Sequence, residues 1–471
     1  MSKTERNKKI LISIILGWCV LFIFLCLKNV TQFYWDSVEY WNMTPQFIVN
    51  GRFVFNPQNY NYRGYMYPLF LGLMNGFGRF NIHVYWIVSS LFYSFMINGI
   101  LPCAYERVFN DSVGIVKRMA VLAMLMLFWP GLFEYPLTDL PAVLLSIFAL
   151  YILYESRYVE KAWLRFVLSF VSGLLCYTTL NFRATYKGVI FIAAGMIIVY
   201  YRKSWKTLVP SLVFFAMGVM VVALPQIYAN YINYGVYSFD NPLSLFTPNR
   251  MSYLLFEGAV WNRMEGYVGA DPTMSAAFTG VDPVIKRIFE QEGILLNELD
   301  PPGLNVFIGV VLKYPLEFAM TYLSHLIECF DVRYGNIYST EYKGRYFIQS
   351  LSILIYYIMG ADMMVKVRVR QVKEELNKAK IIIFCRRYGL IFAYLLFPFA
   401  ISLVGHIEPR YAVGMLVLVY AYVAYRVNYV KLFAWIKRHP FLTVVSYVFL
   451  FLAVTMVQNW SLYVAYYIPN Y

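Results

Sequence analysis

Residues 10–28 read I-L-I-S-I-I-L-G-W-C-V-L-F-I-F-L-C-L-K, an apolar run close to the roughly 20 residues that a helix needs to cross a bilayer. Comparable runs recur to the end of the chain, and no small-residue cleavage site follows this one, so we expect it to stay as an anchor. Of the 471 residues, 60% are hydrophobic and 14% charged, against about one quarter charged in soluble domains. The sequence predicts an all-α polytopic membrane protein.

The apolar runs also place the membrane crossings. We predict about 11 transmembrane helices, within a range of roughly 11 to 13, at residues 10–28, 82–104, 118–133, 139–154, 164–180, 186–201, 208–228, 346–365, 381–404, 411–427 and 441–458. Residues 304–330 are apolar enough to cross as well, but a crossing there would move the next basic loop to the other face. We therefore expect a juxtamembrane helix on the outer face or a re-entrant segment there.

The net charge of +14 follows the alternation of these crossings. If the N-terminus is cytoplasmic, the gaps 202–206, 366–380 and 426–438 are cytoplasmic too, and they are rich in Lys and Arg, as the positive-inside rule requires. The basic balance is therefore topological and does not indicate nucleic acid. The chain then divides into an N-terminal transmembrane module with a first outer loop, an outer loop with juxtamembrane helices, and C-terminal transmembrane helices, at 1–228 (loop 29–81), 229–345 and 346–471.

Several familiar kinds of site are missing from the sequence. The six cysteines fall almost entirely in or beside apolar runs without a CxxC pair, so we expect them to be packing residues. The motifs GxxxxGK[ST], CxxCH, GxSxG and HExxH do not occur. Because the predicted cytoplasmic loops are too short for a nucleotide-binding domain, an energy-rich substrate would be used from the membrane or from the outer side.

The first predicted outer loop carries two carboxylates in F-Y-W-D-S-V-E-Y-W-N, residues 33–42. Asp36 and Glu39 are three residues apart, so on a helix they would share one face. A carboxylate at an apolar boundary loses solvation, so it is expected to form an ion pair, to be protonated or to serve a function. A juxtamembrane salt bridge or cap explains the two acids as well as catalysis does.

Three further predicted outer turns are polar: E-Y-P-L-T-D at 134–139, N-F-R-A-T-Y-K at 181–187 and H-I-E-P-R-Y at 406–411. A helix cap is the simpler account of Asp139. Arg183 and Lys187 would hold an anion or reach lipid headgroups. Glu408 and Arg410 would otherwise form an ion pair. Together the four turns would converge around one cavity, where acids can act as bases or metal ligands and cations can bind phosphate oxygens.

In their order and spacing, these turns resemble the GT-C superfamily of membrane glycosyltransferases, and more narrowly the bacterial branch related to protein O-mannosyltransferases and the aminoarabinose transferase of lipid A. The likeness covers about residues 10–425 and lies in Y-W-D-S-V-E-Y at 34–40, R-G-Y-M-Y-P-L-F at 63–70, P-L-T-D-L-P-A at 136–142, N-F-R-A-T-Y-K at 181–187 and H-I-E-P-R-Y at 406–411. Two features depart from it. Family members often carry adjacent acids in the first loop, whereas Glu39 follows Asp36 after two residues, and the 229–345 loop is too short for a large globular domain.

The resemblance implies a GT-C-like bundle that acts as an inverting glycosyltransferase. A polyprenyl-phosphate-linked sugar would pass to a hydroxyl of a cell-envelope glycan, a glycolipid or a protein, on the outer face of the bacterial cytoplasmic membrane, with a cytoplasmic N-terminus. The implied catalytic residues are Asp36, which would be the base, Glu39 and Asp139. The implied donor phosphate ligands are Arg63, Arg183, Lys187 and Arg410. The implied substrate-binding residues are Tyr40, Trp41, Tyr65, His406, Glu408 and Tyr411. A divalent metal stays an open question, with Asp36 and Asp139 as its candidate ligands.

Two other functions fit a polytopic protein with a polar outer face. A polymerase or ligase of lipid-linked glycans would depend on the 229–345 loop more than on Asp36. A lipid-sugar transporter or flippase would carry charges near the bilayer midplane and broken helices. The centres of the predicted spans are nearly free of charge, which disfavours transport.

Overall fold

A computed structural model describes residues 3–49, 52–54, 63–77, 79–240, 250–268, 275–295, 302–339, 344–371, 400, 403–405, 408–463 and 465–469. Within these ranges the α-helices are α1 Lys3–Lys28, α2 Trp35–Met43, α3 Met66–Met74, α4 Ile82–Ser94, α5 Leu101–Phe109, α6 Ile115–Phe128, α7 Gly131–Glu134, α8 Asp139–Ser156, α9 Ala162–Phe182, α10 Gly188–Tyr201, α11 Trp205–Tyr234, α12 Arg250–Val260, α13 Pro283–Gln291, α14 Leu304–Lys313, α15 Pro315–Glu328, α16 Tyr346–Gln371, α17 Val413–Arg426, α18 Tyr429–Arg438 and α19 Pro440–Tyr463. The strands are β1 Ile48–Val49, β2 Arg52–Phe53, β3 Trp261–Val268, β4 Ser275–Val281, β5 Tyr338–Ser339 and β6 Ala465–Pro469.

Long apolar helices dominate the described part of the chain. Eight of them could cross a membrane by length and composition, at Thr4–Lys28, Ile82–Phe109, Asp139–Ser156, Ala162–Phe182, Ala184–Tyr201, Trp205–Tyr234, Tyr346–Met364 and Pro440–Asn459. Two bent helix pairs would raise that number to 10 if each is one span. The expected all-α polytopic membrane protein is confirmed.

Eight of the predicted crossings coincide with these helices, and the other three do not. The run at 118–133 becomes α6, which has 14 residues and stops before Trp129 and Pro130, because proline disfavours a helical conformation in the residue before it. The run at 411–427 is one arm of a pair, Pro409–Arg426 and Tyr429–Arg438, bent by 85°. The run at 381–404 lies, except for its end, outside the described residues.

The apolar stretch at 304–330 is also broken. It forms α14 and α15, which meet at an angle of 102° next to Pro315, the first residue of α15. A single straight crossing is thus excluded, and the bend fits either a broken span or the re-entrant segment expected from the charges.

The described residues fall into two compact units, each with its own core. The first takes the residues of 3–122 and 132–240, and the second those of 123–131, 250–371 and 400–469. The division into a module, an outer loop and C-terminal helices concerns sides of the membrane and stays a prediction.

In the first unit, α8 is buried along most of its length, and α9 crosses α11 at very short range. A Cβ atom placed on Gly173 of α9 would lie 2.1 Å from the carbonyl oxygen of Phe215, and one on Gly218 of α11 would lie 2.0 Å from that of Phe170. Only glycine allows the two backbones to meet in this way, as at many helix contacts in membranes.

The second unit contains a small sheet that the sequence does not reveal. Strand β3 pairs antiparallel with β4 and parallel with β5, while β4 pairs antiparallel with β6, in the order β5-β3-β4-β6. The segments W-N-R-M-E-G-Y-V and S-A-A-F-T-G-V lack the enrichment in β-branched residues that identifies strands. β3 and β4 are neighbours in the chain, but their other partners, β5 and β6, are far away in it, so those pairings leave no local pattern.

Candidate functional site

The short helix α2, which follows the first long helix, presents two carboxylates to one arginine. Asp36 and Glu39 lie one turn apart on α2 and both contact Arg63. Arg63 Nη2 is 2.6 Å from Asp36 Oδ1 and 2.9 Å from Glu39 Oε2, and Arg63 Nε donates to Glu39 Oε2 at 3.1 Å. The two acids therefore share a helix face, as their spacing predicts.

The segment around Arg63 is fixed by the third polar turn. A Cβ atom on Gly64 would lie 2.2 Å from the backbone oxygen of Asn181, so the two backbones are in contact. The backbone N–H of Met66 donates to Asn181 Oδ1 at 2.8 Å. The Arg63 guanidinium lies 5.2 Å from the centre of the Tyr40 ring. Arg63 is thus held between α2 and the end of α9.

Trp35, next to Asp36, is strained. Its φ is +47°, which is a rare value for a bulky side chain. Its indole Nε1 is buried and has no hydrogen-bond partner in the described part of the protein. Strained backbone and unsatisfied buried donors concentrate at functional sites. The indole N–H is therefore a donor that a bound oxygen could use.

The second and third polar turns form another ion pair. Asp139 Oδ1 lies 2.6 Å from Arg183 Nη1, and the Asp139 side chain is only 1% exposed. Asp139 is the first residue of α8, where the helix dipole also favours a negative charge. Thr138 takes the N-cap position without a side-chain cap hydrogen bond. Asp139 is therefore not the N-cap residue: the helix dipole favours its charge at this position, and Arg183 explains its burial.

Tyr40 joins the two ion pairs. Burial raises the pKa of Tyr40, Arg63 opposes this shift, and Asp36 adds to it. Thr138 hydrogen-bonds the Tyr40 side chain, and Arg183 is close enough to act on its charge. The phenol therefore stays neutral at physiological pH. The ends of α2, α8 and α9 meet around it.

A chain of buried amides extends from the same region. Asn181 Nδ2 donates to Gln226 Oε1 at 2.7 Å, and Gln226 Nε2 donates to Asn230 Oδ1 at 2.9 Å. Asn230 Nδ2 then donates to the backbone oxygens of Ser238 and Asp240. Gln226 and Asn230 are absent from the sequence prediction, although polar amides at the end of an apolar span are a signal of function.

Two other ionisable residues of the predicted polar turns, Lys187 and Glu134, also have partners. Lys187 Nζ contacts Asp240 Oδ1 at 3.0 Å. Lys28, the last residue of α1, contacts Glu134 at 3.1 Å. Together with the Asp139–Arg183 pair and the hydrogen bond between Tyr40 and Thr138, these contacts bring three of the four predicted polar turns together in the first unit.

The fourth polar turn belongs to the second unit. Glu408 accepts hydrogen bonds from Arg410 Nε and from the Tyr411 hydroxyl, and Arg410 is buried. The ion pair given above as the simpler account is therefore present. His406 lies outside the described residues.

The predicted sugar-binding aromatics of the first unit are occupied by packing. Tyr65 is buried, and its hydroxyl donates to the backbone oxygen of Val222 at 2.9 Å. Burial raises its pKa. Trp41 packs edge-on against the rings of Phe33 and Tyr85. Tyr40 is likewise buried and packs edge-on against the ring of Tyr67. These contacts stabilise the fold around α2.

The candidate metal ligands do not fit a metal well. In the ranges that the structure describes, no group of three or more His, Cys, Asp or Glu side chains could hold an ion. Asp36 and Asp139 each face an arginine at 2.6 Å, so a cation beside either carboxylate would also meet a guanidinium group.

The fold and the site define a polytopic membrane protein with a cluster of acid–arginine pairs where several of its long helices end. Comparison with known proteins finds no matching family model, no matching characterised protein and no matching solved structure. What the cluster can do chemically follows from its own residues.

Proposed function

We propose that this protein is an inverting glycosyltransferase of the bacterial cytoplasmic membrane. It would transfer a sugar from a polyprenyl-phosphate donor to an acceptor hydroxyl at the outer face. The acceptor would belong to a cell-envelope glycan, a glycolipid or a protein.

One observation carries the proposal: a partly exposed carboxylate lies beside a strained tryptophan and within a set of arginines. Asp36 is 30% exposed and ion-paired with Arg63, while Trp35 offers a buried N–H donor. The carboxylate form that pairs with Arg63 is also the form that a base needs. Asp139, which is almost fully buried against Arg183, suits a role in orientation better than one in proton transfer.

These residues support a single displacement. Asp36 accepts the proton of the acceptor hydroxyl, whose oxygen forms a bond to the anomeric carbon as the bond from that carbon to the phosphate oxygen breaks. The leaving phosphate carries the released charge, which Arg63, Arg183 and Lys187 would stabilise. Attack opposite the phosphate inverts the configuration and needs one base and no covalent sugar intermediate.

The direct test is Asp36→Asn in purified protein supplied with polyprenyl-phosphate sugars. We expect the rate of transfer to fall by about 100- to 10,000-fold, the usual contribution of a general base. Donor binding should survive, because the arginines remain.

Glu39→Gln is the matched control, since Glu39 contacts the same arginine from the same helix. It should keep much more activity than Asp36→Asn at equal thermal stability. Near-normal transfer by Asp36→Asn, or equal losses in both variants, would remove Asp36 as the base.

The bent helix pairs favour a second candidate, a lipid-sugar transporter, because transporters place substrate sites at interrupted helices. Glycosyl transfer needs no sealed membrane, whereas transport does. Donor turnover by the protein in detergent would therefore support the enzyme, and lipid-sugar movement in vesicles without turnover would support the transporter.

A further inference from the structure

The helix α18 leaves the preceding helix at a right angle that other residues hold in place. Pro409–Arg426 and Tyr429–Arg438 are bent by 85°. Asn428 caps α18 by accepting a hydrogen bond from the backbone N–H of Lys431 at 3.1 Å. On α16, Lys366 Nζ donates to the backbone oxygen of Arg426 at 3.1 Å, and Asp362 Oδ1 accepts from the backbone N–H of Asn428. The turn is therefore built into the fold.

Helix α18 has three faces of different character. Leu432 is 3% exposed and packs in a small core with Ala361, Val423 and Val427, so this face holds the helix against the protein. At 100° per residue, Val430 and Phe433 lie on a second face. They are 81% and 58% exposed, which is unusual for large apolar side chains of a packed helix.

The third face is basic. Lys431 and Arg438 are exposed on the side of α18 opposite Phe433. The exposed Lys437 lies on the same side as Val430, in the last turn of the helix, and its long side chain can extend from there to lipid headgroups. The segment 426–439 contains no Asp or Glu. Its charge is therefore uncompensated within the segment.

The next helix, α19, is apolar and exposed at its start. It begins at Pro440, its second residue Phe441 is 82% exposed, and Pro440–Asn459 could itself cross a membrane. A basic, amphipathic helix at right angles to the crossing predicted at 411–427 and directly before a candidate span has the chemistry of a helix that lies in the membrane–water interface. The surface of the leaflet predicted to be cytoplasmic carries negative charge when anionic lipids are present.

We propose that α18 lies in the plane of this interface and binds anionic phospholipids. Val430 and Phe433 contact acyl chains, and Lys431, Lys437 and Arg438 bind headgroup phosphates. This role is independent of the proposed transfer reaction.

The test uses the full-length protein in nanodiscs of phosphatidylcholine, with and without about 30% phosphatidylglycerol as the anionic lipid. We expect phosphatidylglycerol to raise the thermal unfolding midpoint of the unaltered protein. In the variant Lys431→Gln, Lys437→Gln, Arg438→Gln this rise should fall to less than about one third, because each basic side chain near the surface contributes roughly a factor of five in affinity.

A matched control removes three exposed cations from another loop on the same predicted side, as Arg202→Gln, Lys203→Gln, Lys206→Gln. The control should keep most of the rise caused by phosphatidylglycerol. An equal rise in the α18 variant and the unaltered protein would overturn the proposal, and so would an equal loss in both variants, since charge alone would then explain it.

A second measurement reports how deeply α18 enters the membrane. An environment-sensitive fluorophore is attached to a cysteine at position 433 or 438, in protein whose Cys19, Cys26 and Cys385 are serine. We expect blue-shifted emission at 433 and water-like emission at 438. Water-like emission at both positions would exclude insertion and would point to an acidic protein partner.

Discussion

The Asp139–Arg183 pair shows how one side chain can stabilise the fold and serve a substrate. Asp139 is almost completely buried, and removing one partner of such a pair typically costs about 3–5 kcal/mol. An alanine at Arg183 would therefore disturb folding whatever its role in binding. Arginine nevertheless offers five N–H donors in a fixed fork, which lets it bind a phosphate while it contacts a carboxylate.

A paired substitution separates the two roles. Asp139→Asn with Arg183→Gln replaces the ion pair by two neutral amides of similar size. We expect this double variant to fold and to show an apparent KM for the polyprenyl-phosphate donor raised by roughly 10-fold or more, because a charge-assisted hydrogen bond to phosphate is lost. The measurement is the dependence of transfer on donor concentration, with thermal unfolding as the control. A normal KM in a stable double variant would restrict Arg183 to a structural role.

Some of this site can be predicted from the sequence, and some cannot. The spacing of Asp36 and Glu39 predicts their common face because helix geometry is local. Their shared partner, Arg63, lies 24 residues after Glu39, and its contact depends on how Gly64 packs against Asn181. The amide chain through Gln226 is likewise a product of tertiary packing.

Among the helices, the crossing of α9 and α11 depends most directly on residue size. Gly173 and Gly218 face the other helix's backbone at distances that no side chain can tolerate. In lipid there is little hydrophobic gain from helix association, so such close packing contributes much of the stability. The crossing also positions Asn181 and Gln226, which lie further along the same two helices.

We expect Gly173→Ala to lower the free energy of unfolding by about 1–3 kcal/mol, as overpacking usually does. Its new Cβ atom would meet the backbone oxygen of Phe215, which cannot move alone. The measurement is thermal unfolding of purified protein. Gly195→Ala on α10 is the control, since a Cβ atom there meets no other atom within 4 Å. Equal midpoints for the two variants would contradict a tight crossing.

Hydropathy predicts the long helices well because an uninterrupted helix satisfies its own backbone in lipid. It does not predict the bends at Pro315 and after Arg426, because the hydropathy of an apolar run is the same whether its helix is straight or broken. The right angle before α18 depends on Asp362 and Lys366, about 60 residues earlier in the chain. Strands β3 and β4 are hard to predict because their composition is not typical of strands and because their outer partners, β5 and β6, are far away in the chain.

For the whole chain, the central question is which loops share a side of the membrane. In the first unit, Lys28 contacts Glu134 and Asp139 contacts Arg183. The end of α1, the start of α8 and the end of α9 therefore lie together, as the alternation of crossings predicts. Beyond α11, the sides depend on the bent pair α14–α15. A re-entrant pair returns to its own face, whereas a broken span would reverse every loop after it.

Cysteine labelling of intact cells decides between these topologies. We expect a membrane-impermeant maleimide to react with Thr185→Cys from outside, and with Lys203→Cys or Val372→Cys only after permeabilisation. The reason is that α11 and Tyr346–Met364 are two candidate crossings between positions 203 and 372, so a re-entrant α14–α15 would return the chain to the side it left. Labelling of position 372 from outside would mean that α14–α15 crosses. The basic segment 366–380 would then face outward, against the positive-inside rule, and α18 would lie on the leaflet opposite to the one inferred above if the crossings after 372 are as predicted.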